Sequence, residues 1–332
     1  MIEPMPVPNR DSTSSCLHTK ADQTTLFDAR DYISGDQFKI VRCENCGVAF
    51  THPVPLLAAW SRYYPLAYYG TAGTKRFLGP VEWLQRQLYA ARIRRLEKFN
   101  GGCPGHVLDV GCGRGFLLQE FQRRGWEVLG TEADDKAATH AREVLRLPVK
   151  VGPLEALEPP GAGFDAIVLW HVLEHLADPT ATLVQVHRLL RPGGILLVGV
   201  PNFGSWEARL CRDKWFHLDV PRHLVHFTPD SLGNSLSKAG LRLCGRGLFA
   251  PEYDIFSFVQ SLLNRVGLRH NYLYNLLRGR GSKVIGNPGG QSGQFIGTLV
   301  IGLPLALLSL PATLLAGLLR QGSAITAYAR KP

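Results

Sequence analysis

The chain has 332 residues, of which 45% are hydrophobic and 19% charged, and its formal net charge is +10. This composition excludes an intrinsically disordered protein, and the length allows one good-sized domain with additions. The basic residues concentrate in 75–98 and 265–283, which would suit nucleic acid or an anionic membrane surface. Because no nucleic-acid motif accompanies them, we expect a membrane surface and no nucleic-acid partner.

Cysteine usage and the first residues bear on the compartment. The seven cysteines contain one C-x-x-C pair, Cys43 and Cys46, which favours a reducing cytoplasm over a disulfide framework. The N-terminal residues have no apolar segment of the kind found in signal peptides, so we expect none.

Residues 1–65 predict a disordered start followed by a small metal-binding module. In Cys43-Glu44-Asn45-Cys46-Gly47, two thiolates can bind one metal ion, and glycine allows the tight turn between them. The upstream ligand candidates are Cys16 and His18, whose C-x-H spacing is short for a zinc ribbon. We predict structural zinc here, with a metal-free remnant as the alternative.

Residues 66–100 predict a connecting segment with a basic amphipathic helix from Pro80 to Asn100. Proline suits the first helical position because its missing N–H costs nothing there. Apolar residues recur at roughly helical spacing. They are Trp83, Leu84, Leu88, Ile93 and Leu96.

Residues 107–117 predict a strand, a tight turn and a helix start. An apolar run reaches Asp109, and three glycines follow at alternate positions, Gly111, Gly113 and Gly115. Glycine permits a turn in which the backbone approaches a ligand closely. The next strand ends at Glu132, an acid that can accept hydrogen bonds from ribose hydroxyls. A nicotinamide-binding loop spaces its glycines G-x-G-x-x-G and fits less well.

Three further segments follow the glycine loop and Glu132 along the chain. Phe164-Asp165-Ala166-Ile167-Val168 is an apolar strand, residues 170–179 include Glu174-His175-Leu176-Ala177-Asp178-Pro179, and Arg191-Pro192-Gly193-Gly194 precedes another strand. Together with the glycine loop, these segments resemble the class I S-adenosylmethionine-dependent methyltransferases over residues 101–250, and the resemblance resumes at 322–332. It implies an α/β, Rossmann-like doubly wound sheet with an antiparallel last strand. The N-terminal segment resembles zinc-binding modules attached to some bacterial methyltransferases.

The resemblance also implies functional residues. The cofactor S-adenosylmethionine would be bound by the glycine loop, by Glu132 at its ribose, and by two residues after the third apolar strand. The predicted cofactor-binding residues are Asp109, Gly111, Cys112, Gly113, Gly115, Glu132, Trp170 and His171.

The sequence His171-x-x-Glu174-His175 needs separate weighing. The residue pattern alone matches an inverted zinc-peptidase motif, but its position inside a methyltransferase-like fold argues against a peptidase. In the ubiquinone O-methyltransferases that the chain resembles, an E-x-x-E-H version is thought to hold a divalent cation. His171 departs from that pattern, which weakens a magnesium interpretation because Mg²⁺ prefers oxygen ligands. We predict that these residues have a structural role or line the substrate pocket.

Residues 215–228 resemble the lid of related enzymes. His223 is the first candidate for general base, and His175 the second, because an unperturbed imidazole titrates near neutral pH. A core or capping role for His223 stays open.

Residues 251–321 predict an amphipathic and apolar insertion before the last strand at 322–332. Ile296 to Leu319 contains no charged residue and is long enough to span a bilayer, but Pro304 and Pro311 interrupt it. Since the last strand must return to the sheet, a single crossing is forbidden, whereas a re-entrant hairpin or an interfacial helix is allowed. A buried helical pair or an oligomer interface is the alternative.

These observations predict a methyltransferase at the inner face of the membrane that acts on a small-molecule or lipid-like, apolar or membrane-borne acceptor. A nicotinamide-dependent oxidoreductase and a non-catalytic, membrane-docked binding module are the alternatives. The acceptor, the type of atom methylated and the oligomeric state do not follow from the sequence.

Overall fold

The computed structural model describes residues 23–56, 59–64, 79–277 and 291–332, which form two sheets and the helices around them. The strands are β1 (Gln23–Arg30), β2 (Gln37–Cys43), β3 (Ala49–His52), β4 (His106–Val110), β5 (Glu127–Glu132), β6 (Val149–Val151), β7 (Phe164–Trp170), β8 (Leu190–Pro201), β9 (Val225–His226), β10 (Arg242–Gly247) and β11 (Ala324–Arg330). The α-helices are α1 (Trp60–Tyr63), α2 (Gly79–Phe99), α3 (Phe116–Arg123), α4 (Asp135–Thr139), α5 (Pro179–Leu189), α6 (Trp206–Cys211), α7 (Pro229–Lys238), α8 (Pro251–Arg265), α9 (Tyr272–Leu277) and α10 (Gln291–Leu318).

The larger sheet has seven strands in the order β10-β11-β8-β7-β4-β5-β6. Strands β4 to β8 pair in parallel, whereas β11 is antiparallel to both β8 and β10. The central strands are near-continuous apolar runs because both faces of a parallel sheet are covered. This confirms the predicted Rossmann-like α/β fold with an antiparallel last strand, and it brings the loops after β4, β5 and β7 to one edge.

Helix α2 covers part of this sheet, close to the predicted bounds. Ile93 and Leu96 are fully buried and pack with Val107 of β4 and with β8 residues. Trp83 and Leu84, which the pattern assigns to the same apolar face, are exposed. Only the second half of the helix lies against the sheet. The predicted apolar face therefore extends over the first half of the helix as well, where it is not buried.

The smaller sheet joins the N-terminal region to the predicted lid. Its order is β1-β2-β3-β9, and β9 comes from residues 225–226. The buried ion pair of Arg222 with Asp31 fixes the same junction, at 2.8 Å with both side chains inaccessible. Phe38 and Ile40 of β2 belong to the same hydrophobic cluster as Leu108 of β4, so one core runs through both regions.

Residues 291–318 form one continuous helix, α10, that runs through Pro304 and Pro311. The structure therefore has no hairpin in this segment, in contrast to one of the two arrangements that the sequence allowed. The helix is long and apolar enough to cross a membrane, and 22% of its most apolar stretch is buried. Helix α10 packs against α8 and therefore lies on the surface of the folded protein.

Candidate functional site

The glycine loop after β4 is a left-handed turn in which each glycine has a different role. Gly111, Gly113 and Gly115 have φ values of 66°, 52° and 80°, which favour glycine. A Cβ at Gly111 would lie 2.6 Å from Val172, and one at Gly115 would lie 2.8 Å from Ala141. A Cβ at Gly113 would meet no atom within 4 Å. Gly113 therefore borders the open side of the turn, where a ligand can approach the backbone.

Glu132 closes the other side of this turn. Its Oε2 accepts a hydrogen bond from the backbone N–H of Gly113 at 2.8 Å, and its Oε1 accepts from Ala133 and Asp134. Burial raises the pKa of Glu132, although these three hydrogen bonds act in the opposite direction. The carboxyl group is thus fixed beside the open face of Gly113, which fits the geometry that a nucleoside ribose requires.

Asp109 lies at the end of β4 and is buried. Burial and the neighbouring Glu132 carboxyl raise the pKa of Asp109 to about 8. A cationic ligand bound nearby would favour the ionised form. The ends of β4 and β5 therefore place two acids beside the loop, and their environment suits a positively charged cofactor such as S-adenosylmethionine.

Cys112 lies in the loop, but its side chain points away from the open side. The sulfur packs under β5, where a Cβ added to Gly130 would come within 2.8 Å of it. Only the backbone of Cys112 borders the turn, and its N–H donates to Thr131. A cofactor contact at Cys112, as predicted, would use the main chain.

Trp170 is the last residue of β7 and His171 follows it, next to the glycine loop. The Trp170 ring lies beneath the Arg92 guanidinium at 4.3 Å, and its Nε1 donates to the Tyr253 hydroxyl at 3.0 Å. His171 has a left-handed φ of 55°, which is strained for a non-glycine residue. Its Nδ1 lies 2.9 Å from Oε1 of Glu174. Strain of this kind clusters at functional sites, so the loop after β7 is a functional candidate.

Glu174 is the centre of a buried cluster of histidines. It is 1% exposed, and its Oε2 is one of the buried polar atoms without a hydrogen-bond partner in the described part of the chain. Burial opposes ionisation, but the hydrogen bond from His171 and the nearby imidazoles of His175 and His223 lower the pKa of Glu174 to about 2. The residue is therefore a carboxylate with one oxygen available to a ligand.

His175 and His223 face each other beside this carboxylate. Their ring centroids are 4.7 Å apart. Nδ1 of His175 lies 2.9 Å from the Arg222 carbonyl, and Nδ1 of His223 lies 2.8 Å from the His217 carbonyl. Because a carbonyl can only accept, each Nδ1 carries a proton, and each neutral ring has its lone pair on Nε2.

One ligand atom each from Glu174, His175 and His223 lie within 4.8 Å of one another. The orphaned carboxylate oxygen and two imidazole nitrogens fit a divalent transition metal better than Mg²⁺. A bound cation would polarise an acceptor hydroxyl. Without a cation, the same lone pairs can accept protons from a bound hydroxyl group.

The N-terminal sheet holds the lid histidines in place. The Thr51 hydroxyl donates to the carbonyl oxygen of His223 at 2.7 Å, and Nε2 of His226 donates to that hydroxyl at 3.0 Å. Burial, followed by the charge of His223, lowers the pKa of His226 to about 3. His226 therefore has a structural role between β3 and β9.

Cys43 and Cys46 form the expected knuckle-like turn at the end of β2. The Cys43 N–H donates to Val48, and the Gly47 N–H donates back to the Cys43 carbonyl. The other two predicted ligands, Cys16 and His18, lie outside the described residues. Zinc at these four residues stays a prediction.

Sequence reasoning missed an aromatic wall beside the histidines. Tyr253 of α8 lies 4.3 Å from His171, ring centroid to centroid. Phe216, Phe256 and Tyr274 pack against one another at 5.2–6.1 Å. The amphipathic pattern of 255–263 suggests a stretch that helps the chain to dock on a membrane, but in the structure Phe258, Val259 and Leu263 of α8 are buried inside the protein.

Comparison with known proteins agrees with this geometry. A methyltransferase domain family model matches residues 81–244. The ubiquinone biosynthesis O-methyltransferase of Dinoroseobacter shibae is 31% identical over 172 residues, which are 48% of this chain and 69% of that enzyme. The enzyme of the same name from Ruegeria pomeroyi is 31% identical over 211 residues, which are 60% of this chain and 84% of that enzyme.

Among solved structures, a SAM-dependent methyltransferase from Archaeoglobus fulgidus aligns with a TM-score of 0.44 and 20% identity, covering 74% of this chain and 94% of that one. The family match and the curated relatives favour a methyltransferase over a nicotinamide-dependent oxidoreductase. The chain belongs to the class I S-adenosylmethionine-dependent methyltransferases and uses S-adenosylmethionine as its cofactor.

Proposed function

We propose that this enzyme transfers a methyl group from S-adenosylmethionine to a hydroxyl oxygen of an apolar, phenol-like acceptor that resides in a membrane. Two relatives are named as O-methyltransferases of ubiquinone biosynthesis, which supports an oxygen acceptor on a quinone-like ring. The main structural support is the cluster of one carboxylate oxygen and two imidazole nitrogens from Glu174, His175 and His223, next to the glycine loop.

Contact between two loops supports a shared reaction site. The loop after β4 and the loop after β7 touch, since a Cβ at Gly111 would collide with Val172. Val172 lies between His171 and the Glu174–His175 pair in the sequence. Donor and acceptor would thus be held side by side, which methyl transfer by in-line displacement requires.

We assign the proton-accepting role to His175. Its Nδ1–H is held by the Arg222 carbonyl, so its Nε2 lone pair is available to a hydroxyl proton. His223 is more deeply buried, and burial together with His175 lowers its pKa to about 4, which makes it a weak base at neutral pH. Glu174, a carboxylate at neutral pH, would stabilise an imidazolium beside it.

S-adenosylmethionine supplies an electrophilic methyl group when bound. The backbone of Gly111 and Gly113 and the carboxyl groups of Asp109 and Glu132 would bind and orient it. Trp170, covered by Arg92 and Tyr253, would help to exclude water from the region between the two substrates. Exclusion of water favours methyl transfer to the acceptor over loss to solvent.

An apolar acceptor is supported by the surroundings of the histidines. Tyr253 is linked through the His217 ring to Phe216, which packs with Phe256 and Tyr274, and this aromatic cluster would suit a planar ring. Helix α10, apolar along its outer surface, lies on the same α8 that carries Tyr253 and Phe256. Both features favour a membrane-borne substrate and an enzyme at the cytoplasmic face of the membrane.

Incubation of the purified enzyme with S-adenosylmethionine and a membrane lipid extract tests the proposal. Mass spectrometry should detect S-adenosylhomocysteine together with a lipid that has gained one methyl group on oxygen. The same extract treated to block its free hydroxyl groups is the control and should yield neither. Cofactor binding without any S-adenosylhomocysteine in any lipid fraction would favour the non-catalytic binding module.

A further inference from the structure

Helix α10 has its polarity inverted relative to a helix of a water-soluble protein. Between Phe295 and Leu318, every exposed residue is apolar. The most exposed large side chains in this range include Ile296, Val300, Leu303, Leu307 and Leu318. A soluble amphipathic helix turns its apolar stripe toward the core and its polar residues outward. Here the apolar residues face out.

The face of α10 that packs on the protein is made of small and hydroxyl-bearing residues. Its buried positions are Thr298, Gly302, Ser309, Thr313 and Ala316. The Ser309 hydroxyl donates to the Ala306 carbonyl at 2.6 Å, and that of Thr313 donates to the Ser309 carbonyl at 2.7 Å. Small residues that allow close backbone approach, with hydroxyl groups bonded to their own helix, are typical of helices that pack together inside lipid.

The outward apolar surface is too broad for a single protein partner. At 100° per residue, the exposed positions 295, 306, 296, 300, 308 and 301 together span about 240° of the helix circumference. A helix packed against a partner needs an apolar stripe about 100° wide. A second copy of the chain would therefore leave much of this surface in water, whereas lipid chains can cover all of it.

Attachment to α8 and to the residues on either side of α8 prevents α10 from crossing a bilayer by itself. A Cβ at Gly297 would lie 3.1 Å from Leu268, one at Gly302 would lie 3.8 Å from Leu263, and one at Gly317 would lie 3.1 Å from Phe249. At about 1.5 Å per residue, its 28 residues extend roughly 42 Å alongside the folded body. A bilayer can therefore meet the helix only from its outer side.

Cationic side chains lie at both ends of this surface. Arg269 is exposed, and its N–H donates to Gln294 near the start of α10. Arg320 is exposed just after the helix ends. With an overall charge of +10, these residues complement anionic lipid headgroups that flank an embedded apolar strip.

We propose that α10 lies in the plane of an anionic bilayer and is embedded from its outer side in one leaflet. The inference deepens the proposed function and rests on it for the membrane-borne acceptor. Helix α8 connects this surface to the reaction site. Its Leu263 contacts α10, and its Tyr253 contacts His171. An acceptor can then present its ring to the histidines while its apolar part stays in the same leaflet.

Vesicle flotation without any methyl acceptor tests the docking surface. The full-length enzyme should float with vesicles that contain phosphatidylglycerol, bind more weakly to pure phosphatidylcholine, and lose affinity as salt is added. The double variant Leu303→Glu with Leu307→Glu should lower the partition coefficient at least about tenfold. The matched control is Val144→Glu with Val184→Glu, two positions each 53% exposed on other helices, and it should float like the wild type.

Calorimetric S-adenosylmethionine binding separates docking from catalysis. All variants should bind the cofactor like the wild type, which shows that they are folded. A wild type that stays in solution with both lipids would overturn the proposal. So would a lipid-free dimer that becomes monomeric in the Leu303/Leu307 variant, since a second copy would then cover the helix. Equal binding to both lipids would overturn the role given to the arginines. None of these results depends on methyl transfer.

Discussion

The cofactor half of the site comes mainly from residues 106–134, one uninterrupted stretch, with Trp170 and His171 as the other predicted cofactor contacts. The acceptor half combines residues 174–175, 216–226 and 253 and is braced by Thr51 and Asp31. The first half is held by backbone turns and by hydrogen bonds within neighbouring β-α units. The second half depends on contacts between residues up to 191 positions apart. Changes to the N-terminal sheet should therefore damage the acceptor half and spare the cofactor half.

The largest effect expected from this difference is on stability. Arg222→Met would remove a guanidinium that binds Asp31 at 2.8 Å and Asp219 at 2.9 Å, leaving the buried Asp31 carboxyl and the partly buried Asp219 carboxyl without their cation. We expect the free energy of unfolding to fall by about 3–5 kcal/mol in urea titrations. Arg62→Met, which breaks the exposed pair with Asp36, is the control and should cost no more than about 1 kcal/mol.

This variant also tests the independence of the two halves. Under conditions where Arg222→Met remains folded, S-adenosylmethionine affinity should change little. A loss of affinity as large as that caused by substitutions in the glycine loop would contradict the division. Asp31→Asn, which keeps the shape of the side chain, provides a milder version if the first variant does not fold.

His175→Ala should separate chemistry from cofactor binding. Removal of the proton acceptor is expected to lower kcat about 10²–10³-fold, because general base catalysis contributes that order of magnitude. Cofactor affinity should stay the same, since His175 belongs to the acceptor half. His106→Ala, at a half-exposed position in β4, is the matched control. Full activity in His175→Ala, together with loss of activity in His223→Ala, would reassign the base to His223.

Asp109→Ala and Glu132→Ala should each weaken S-adenosylmethionine binding about 100-fold in calorimetry. The loss of two charge-assisted hydrogen bonds at about 1.5 kcal/mol each accounts for this size. Circular dichroism should show that both variants stay folded. Glu155→Ala removes an exposed acid and should leave affinity unchanged. Wild-type affinity in both loop variants would refute the assignment of the cofactor site.

The smallest expected effect is a pH dependence confined to the cofactor half. Burial and Glu132 raise the pKa of Asp109 to about 8, so the free enzyme carries a proton there at pH 6.5. The cationic cofactor favours the carboxylate, so binding must release that proton at low pH. Affinity should therefore rise by up to about 15-fold between pH 6.5 and 8 and level off only above about pH 9. In Asp109→Asn the rise should be smaller, and an unchanged slope would show that another group titrates.

The cofactor half could be predicted almost completely from the sequence. The alternation of glycines after Asp109 indicates a tight turn, and Glu132 at the end of the next strand is brought beside it by parallel pairing of β4 and β5. Such features are local, and their spacing follows from strand and turn geometry. The packing of the Cys112 sulfur against β5 could not be predicted, because it depends on the space left by Gly130 on that neighbouring strand.

The acceptor half could be predicted only as a set of residue types. The sequence identifies His175 and His223 as candidates, but it indicates neither their mutual contact nor the carbonyl groups that fix their Nδ1 protons. Those carbonyls belong to residues of the lid, which is positioned by a strand more than 170 residues earlier. Tyr253 was missed because its role depends on where α8 crosses the loop after β7.

The sequence by itself determined the doubly wound sheet, the glycine turn with its neighbouring acid, and the presence of a long apolar segment before the last strand. Each of these follows from periodicity and spacing along one stretch of chain. Tertiary structure alone decided that β9 joins the N-terminal sheet and that α10 is one helix with its small residues turned inward. Both outcomes depend on contacts between segments that are far apart in the chain. Residue patterns within one segment do not predict such contacts.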